Sequence, residues 1–133
     1  MPATYAFDYA TIRVVPRVER EEFINVGVIV SCRERRYLGA RVELVPGRLA
    51  ALAPDLDPSE IQPHLDVFPV VCAGGPAAGP IGQLTLPERF HWLVAPRSTI
   101  VQVSPVHAGL CQDPAAELDH LFAMMVRLPD GPA

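Results

Sequence analysis

The N-terminal third of the chain alternates between apolar and polar positions with the period of β-strands. Tyr5–Val15 is rich in aromatic and β-branched residues and ends at Pro16. Phe23–Cys32 contains the run Val-Gly-Val-Ile-Val, which is apolar on both faces and favours a central strand. Tyr37–Val45 alternates strictly, and the polar turn of residues 33–36 joins it to the preceding strand as a hairpin.

The rest of the chain has the helical period of apolar positions, and prolines interrupt it. Apolar side chains recur at helical spacing in four stretches, residues 49–56, 61–68, 85–93 and 118–125. The second helix is expected to bend or break at Pro63 and Pro69, because proline lacks the backbone donor. Residues 74–82 are rich in glycine and proline and predict a loop. Thr99–Ser104 predicts a fourth strand.

This order of elements predicts an α+β fold. The three early strands follow one another without helical crossovers, which favours antiparallel pairing. We therefore expect an antiparallel sheet of about four strands with helices packed on one face. The chain of 133 residues shows no internal repeat, so residues 1–133 are predicted to form a single globular domain.

Composition excludes several chemistries. The chain contains 15 prolines, and all 11 of its Lys+Arg positions are arginine. The absence of lysine rules out a Walker A loop, a protein-kinase ATP site, and Schiff-base or pyridoxal-phosphate enzymes, each of which requires a lysine. We expect no cofactor.

Charge disfavours nucleic acid as the main partner. The net charge is −4, whereas a nucleic-acid-binding protein usually carries a basic face. The charge is uneven: residues 1–50 hold eight arginines and six acids, while residues 51–133 hold three arginines and nine acids. Oppositely charged halves suit pairing between proteins. The arginines of residues 13–48 leave nucleic-acid binding open as a lower-ranked alternative.

The three cysteines indicate a reducing compartment. Cys32 and Cys72 lie in or beside apolar runs and are predicted to be small buried hydrophobic residues. His107 and Cys111 have a ligand-like spacing, but the chain has no C-x-x-C pair, so no metal site is predicted. No leader of basic then apolar residues and no membrane-spanning apolar run is present, so we expect a cytoplasmic protein without membrane association.

Residues 88–107 hold the highest density of functional residue types. Arg97 and the hydroxyls of Ser98 and Thr99 follow a proline turn and are suited to hold an anion or carboxylate. In the structural alternative, Arg97 pairs with an acid such as Glu88, and the hydroxyls cap local backbone. The candidates from this segment are Glu88, Arg89, Arg97, Ser98, Thr99, Gln102 and His107.

A second cluster leads into the central strand and comprises Arg17, Arg20, Glu21, Glu22 and Asn25, of which Arg17, Arg20 and Asn25 are candidate ligand-binding residues. Alternating charges of this kind usually form exposed ion pairs of small energy. In the functional alternative, Arg17 and Arg20 join Arg97 across the end of the sheet and form an anion-binding pocket, in which His107 moves a proton. No catalytic residue is predicted, since no nucleophile or carboxylate accompanies His107 and no G-x-S-x-G motif is present.

These clusters carry a resemblance to a bacterial family catalogued only as a domain of unknown function, domain of unknown function 3037. The matching blocks are residues 17–28, 79–82, 88–92, 95–99 and 104–107. The resemblance spans roughly residues 5–127 and implies no activity and no catalytic residue. It does imply a partner, because genes of this family often neighbour a gene for a HipA-like kinase.

The sequence thus leaves three hypotheses. The leading one is a small cytoplasmic accessory protein without catalysis that binds a second copy of itself or a HipA-like kinase in a toxin–antitoxin-like or regulatory module. A homodimer would extend the antiparallel sheet across a two-fold axis. The first alternative is a ligand-binding or enzymatic domain acting on a phosphorylated or carboxylated small molecule. The second is arginine-mediated binding of nucleic acid.

Overall fold

The computed structural model describes residues 3–97 and 99–127. Five strands and four α-helices make up most of this part of the chain. In chain order they are β1 Tyr5–Val14, β2 Ile24–Cys32, β3 Tyr37–Val42, α1 Pro46–Leu52, α2 Pro58–Ala73, α3 Leu86–Val94, β4 Val101–Val103, β5 His107–Cys111 and α4 Pro114–Met125. Two 3₁₀ segments, Val18–Arg20 and Pro76–Gln83, complete the fold. The predicted α+β class with an antiparallel sheet is confirmed.

β1 lies at the centre of the sheet. It pairs with β2 on one side and with both β4 and β5 on the other, and all these pairings are antiparallel. β3 pairs with the far side of β2. β4 and β5 follow one another along the same side of β1, against residues 12–14 and 5–9 respectively. The predicted fourth strand is therefore followed by a fifth, β5, which the sequence pattern did not predict.

Ser104 lies where this side of the sheet changes from β4 to β5. Its N–H donates to the Thr11 carbonyl at 2.9 Å, and its hydroxyl oxygen accepts the Thr11 N–H at 2.9 Å. Pro105 follows and has no N–H to continue the ladder. The Ser104 side chain, which is 4% exposed, thus supplies an acceptor that keeps a buried backbone donor satisfied.

Helices cover both faces of the sheet. Successive residues of a strand point to opposite faces, so Ile29 of β2 contacts one core while Val28 and Val30 contact another. The first core is closed by α1, α2 and α3, and the second by α4. The prediction of helices on one face is corrected here: α4 covers the other, because a strand that is apolar on both faces needs a cover on each.

α2 continues through its two prolines instead of breaking at them. Pro63 is exposed and Pro69 half-buried, while Ile61, Leu65, Phe68, Val71 and Cys72 form the buried face. An interior proline costs about 3 kcal/mol. Burial of large apolar side chains, at about 1.5–3 kcal/mol each, offsets that cost. In the predicted loop of residues 74–82, the chain forms the 3₁₀ segment Pro76–Gln83, bent at Gly79.

Among the described residues, no single helix is long and apolar enough to cross a membrane. Taken together, α2 and the 3₁₀ segment Pro76–Gln83 meet the criterion by length and composition only, and they are bent by 64° at the break between them.

Replacement of Ser104 by alanine is expected to lower the free energy of unfolding by about 1–3 kcal/mol, because it leaves the buried Thr11 N–H without an acceptor. Urea denaturation followed by circular dichroism measures the change. Thr4, exposed just before β1, provides the control. Thr4→Ala should change stability by less than about 0.5 kcal/mol. Equal stability of Ser104→Ala and the wild type would contradict the role given to this hydroxyl.

Candidate functional site

Arg89 is buried and its guanidinium binds backbone rather than facing solvent. Nη1 donates to the carbonyl oxygens of Val71 and Cys72, both at 2.8 Å, and Nε donates to that of Leu84 at 3.2 Å. The last carbonyls of a helix have no partner within the helix. Arg89 satisfies two of them at the end of α2 and so ties α2 to the segment that precedes α3.

Gly74 makes room for this guanidinium. It ends α2 with φ 72° and ψ −168°, a conformation open essentially to glycine alone. A Cβ atom at this position would lie 2.5 Å from Nη1 of Arg89. Two independent constraints, backbone conformation and space, therefore fix glycine at residue 74.

Arg97 performs the same task for α3. Its Nη1 donates to the Leu93 carbonyl at 2.8 Å and its Nη2 to the Trp92 carbonyl at 3.2 Å. The guanidinium also lies over the rings of Trp92 and Phe68, 5.4 and 5.3 Å from their centroids. Partial burial lowers the pKa of Arg97 from its usual value. A cation at a helix C-terminus is favourable, so this arginine acts as a cap.

Glu88 does not pair with Arg97, because it belongs to the N-terminus of α3. Its carboxylate accepts the Thr85 hydroxyl at 2.8 Å and the Thr85 N–H at 3.1 Å, while the Thr85 hydroxyl accepts the Glu88 N–H. This capping box lowers the pKa of Glu88. The Thr99 hydroxyl donates to the Val101 carbonyl at 2.8 Å and caps local backbone. Ser98 lies outside the described residues.

The strand register brings Asn25 and Gln102 to either side of Arg13, which is not among the site residues predicted from the sequence. Arg13 of β1 pairs with Asn25 of β2 and with Gln102 of β4. Its guanidinium lies 4.0 Å above the Phe23 ring. Asn25 donates to the Met125 carbonyl at 3.2 Å. Arg13 Nε and Asn25 Oδ1, a donor and an acceptor, are buried without hydrogen bonds among the described residues.

A signal for Arg13 exists in the sequence. It is a lone charge among β-branched neighbours inside a predicted strand, and such a residue usually has a structural or binding role. Its two neighbours in the sheet come from distant segments, however, and only the register places them together.

Arg17 and Arg20 lie on the same cavity, which has a volume of about 590 Å³. Pro16, Arg17, Arg20 and Glu22 form one wall, and residues 51–56 form the other. Arg20 pairs with Glu22, whereas Arg17 is in no ion pair of the described residues.

Arg17, Arg97 and His107 occupy three separate places. Arg97 and Thr99 line a smaller cavity of about 180 Å³, which shares no lining residue with the cavity of Arg17. His107 lines neither cavity: it is exposed on β5, where its ring lies 5.3 Å from that of Tyr9. The structure therefore does not bring these three residues into either cavity as a set.

All three cysteines are free and buried, as predicted for Cys32 and Cys72. Burial raises the pKa of Cys72 to about 12, although the nearby charge of Arg89 opposes the shift. Burial likewise raises the pKa of Cys111, and Cys32 beside it adds to the effect. Within residues 3–97 and 99–127, no group of three His, Cys, Asp or Glu side chains is placed to hold a metal ion.

β5 forms an open edge of the sheet. Among the described residues, β1 is its one strand partner. Gly109 is needed there, because a Cβ would lie 2.9 Å from the Phe7 ring that packs against the strand. On the opposite face, Leu110 is 71% exposed, and Val106 just before the strand is 44% exposed. β5 contains no Asp, Glu, Lys or Arg, so it lacks the charges that usually protect an edge strand.

The described residues define a class: a small α+β domain whose antiparallel sheet has helices on both faces and one uncharged open edge. Comparison with family models matches residues 9–126 to the family described as a protein of unknown function, DUF3037. The chain belongs to this family, which confirms the resemblance seen in its sequence blocks. No curated protein and no solved structure gives a significant match.

Replacement of Arg89 by methionine is expected to lower the free energy of unfolding by about 3 kcal/mol, because buried carbonyls lose a charged donor. Thermal or urea unfolding measures the loss. Arg33, exposed in the β2–β3 turn, provides a matched control, and Arg33→Met should change stability by less than about 0.5 kcal/mol. An Arg89→Met protein as stable as the control would show that the three hydrogen bonds of Arg89 do not stabilise the fold.

Stability is expected to fall as the pH rises from about 9 to 12. The Cys72 thiol titrates near 9.0 when exposed but at about 12 in the fold, so the unfolded chain loses its proton first and is favoured in this window. Cys72→Ala should reduce this loss of stability. Part of the loss should remain in the variant, because the pKa values of Cys111 and Tyr37 are also raised in the fold. Urea-unfolding midpoints of the wild type and Cys72→Ala, measured between pH 8 and 11, test this pH dependence. A midpoint independent of pH would contradict it.

Proposed function

We propose that this protein is a small accessory protein that binds another protein chain along its β5 edge and has no catalytic activity of its own. The observation that carries the proposal is the combination on β5 of an open edge, exposed apolar side chains and no charge. Partner proteins commonly bind by adding a strand to such an edge.

Strand addition explains the chemistry of this edge. The outward backbone groups of an edge strand offer hydrogen bonds to any incoming strand. Leu110 and the adjacent Val106 supply apolar area that a partner would bury, at about 1.5–3 kcal/mol for each side chain fully covered. A charged edge would oppose this, and the far edge of the sheet, β3, carries Arg41 and follows the arginine-rich turn of residues 33–36.

A second copy of the chain is the partner we favour. Two β5 strands pair antiparallel about a two-fold axis, so each copy supplies the same five residues, and the sheet continues from one copy into the other. Because β5 is uncharged, this pairing brings no like charges face to face within the strands. Pairing through β3 would instead place Arg41 of each copy in the strand that forms the interface. Binding to a HipA-like kinase, which the family resemblance implies, stays a prediction for an additional partner.

The other two hypotheses have less support. Arg89 and Arg97, two of the candidate anion-binding residues, donate to backbone carbonyls. An anionic ligand would therefore depend mainly on Arg17. Nucleic-acid binding stays a lower-ranked prediction, disfavoured by the net charge of −4. We place the protein in the cytoplasm on the basis of its three free, buried thiols.

Replacement of Leu110 by glutamate tests the proposal. Light scattering coupled to size-exclusion chromatography should give the wild type twice the 14.5 kDa mass of one chain, and Leu110→Glu that of a single chain. The two glutamates would lie diagonally opposite each other near the two-fold axis and would replace apolar area by like charges, while the exposed position leaves the monomer fold intact.

Met124 on α4 provides the matched control, since it is apolar and 62% exposed but lies away from β5. Met124→Glu should remain a dimer. A wild type that stays monomeric at every concentration would overturn the second copy as partner. If that monomer captured a HipA-like kinase and Leu110→Glu abolished the capture, the β5 edge would be retained and its partner reassigned. Capture unaffected by Leu110→Glu would overturn the edge itself.

A further inference from the structure

We infer that the cavity beside Arg17 binds a small zwitterion with an apolar side chain, such as a branched aliphatic α-amino acid. The cavity lies between the turn that follows β1 and the segment that joins α1 to α2. Its volume of about 590 Å³ is within the range of small-molecule sites. This site is separate from β5, and the inference does not depend on the proposed interaction.

The charged side chains of the cavity balance one another. Four line it: Arg17, Arg20, Glu22 and Asp55. Arg20 and Glu22 form an ion pair with each other. Arg17 and Asp55 take part in no ion pair of the described residues, so one cation and one anion in the same cavity are left for a ligand. A net-neutral ligand carrying both charges complements this pair.

The remainder of the lining is apolar. It comprises Pro16, Ala51, Leu52, Ala53, Pro54 and Leu56. Leu52 and Leu56 are half-buried, and Leu56 packs on the core beneath α2. These side chains offer an aliphatic group a surface away from water, which favours a branched apolar side chain over a polar one.

Both walls of the cavity are fixed by backbone hydrogen bonds. On one side, the Glu21 N–H donates to the Val18 carbonyl at 3.1 Å, and Glu21 has the left-handed φ of 56° that turns the chain back toward β2. On the other, the Ala53 N–H donates to the Leu49 carbonyl at 2.7 Å. These bonds hold the backbone of both walls, which lowers the conformational entropy that binding costs.

These features select among ligand classes. The Arg17 guanidinium suits a carboxylate, to which it can donate two parallel hydrogen bonds. Asp55 suits an ammonium group, and Leu52 with Leu56 suits an aliphatic side chain. A phosphate ester or a dicarboxylate would place additional negative charge near Asp55 and Glu22. The cavity is therefore matched to a zwitterion better than to the purely anionic ligand expected from the sequence.

Calorimetric titration with four probes tests the assignment: L-leucine, 4-methylpentanoate without the ammonium, 3-methylbutylamine without the carboxylate, and glycine without the side chain. Leucine is expected to bind most tightly. Loss of either charged group should weaken binding at least about tenfold, the effect of one charge-assisted hydrogen bond. Glycine should bind still more weakly, since each buried methylene contributes about fourfold.

Two variants assign the charges. Arg17→Gln should weaken leucine and 4-methylpentanoate at least about tenfold but leave the amine unchanged, and Asp55→Asn should weaken leucine and the amine but not 4-methylpentanoate. Arg33→Gln, at an exposed arginine of the β2–β3 turn, is the control and should bind as the wild type does. Unchanged melting temperatures establish that each variant is folded.

Three results would overturn the inference. The first is the absence of leucine binding by the wild type at millimolar concentrations. The second is 4-methylpentanoate bound as tightly as leucine, which would leave Asp55 without a role. The third is an equal loss of affinity in Arg17→Gln and Arg33→Gln, which would make the effect one of general charge.

Discussion

The pairing of β1 with β2 is the constraint on which the rest of the fold depends. β2 is buried on both faces from Val26 to Cys32, and β1 is buried on both faces from Ala10 to Ile12, so neither face of the sheet can be left to water there. α1, α2 and α3 close one face, and α4 closes the other. A bulge at Val26 changes the phase of β2, so Val26 joins the first core while Asn25 reaches the end of α4. The presence of helices on both faces of the sheet follows from this two-sided burial.

Arginine side chains cap the C-terminal ends of three of these helices by hydrogen bonds to backbone carbonyls. Arg89 donates to the last carbonyls of α2, Arg97 to those of α3, and Arg48 to the Val126 carbonyl at 2.7 Å beyond the last residue of α4. A guanidinium is planar and offers several donors, so one side chain serves two or three carbonyls. Arginines that a sequence suggests for anion binding are in this way committed to structure, which leaves Arg17 as the candidate for a ligand.

Local signals in the sequence were reliable where they describe chemistry between near neighbours. Asp57, Thr85 and Asp113 are residue types that favour helix N-caps, and the side chain of each accepts a backbone N–H in the first turn of the helix that follows it. β5 was missed because its strand is short, uncharged and preceded by Pro105. Its pairing depends on β1, about a hundred residues earlier. The predicted anion-binding pocket did not form for a similar reason. Arg97 binds carbonyls at the C-terminus of α3, and Glu88 binds Thr85 at its N-terminus. The density of functional residues in the sequence does not reveal these local partners.

By itself the sequence determined the α+β class, the apolar character of both faces of β2, the helix caps, the exclusion of lysine chemistry and membership of the family. These features depend on residue type and on spacing along a few turns of chain. Tertiary structure alone decided that α4 covers the second face, that β5 forms an open edge, that Arg13 lies between Asn25 and Gln102, and that Arg17 and Asp55 share a cavity. Each of these rests on contacts between segments distant in the chain, which local patterns do not encode.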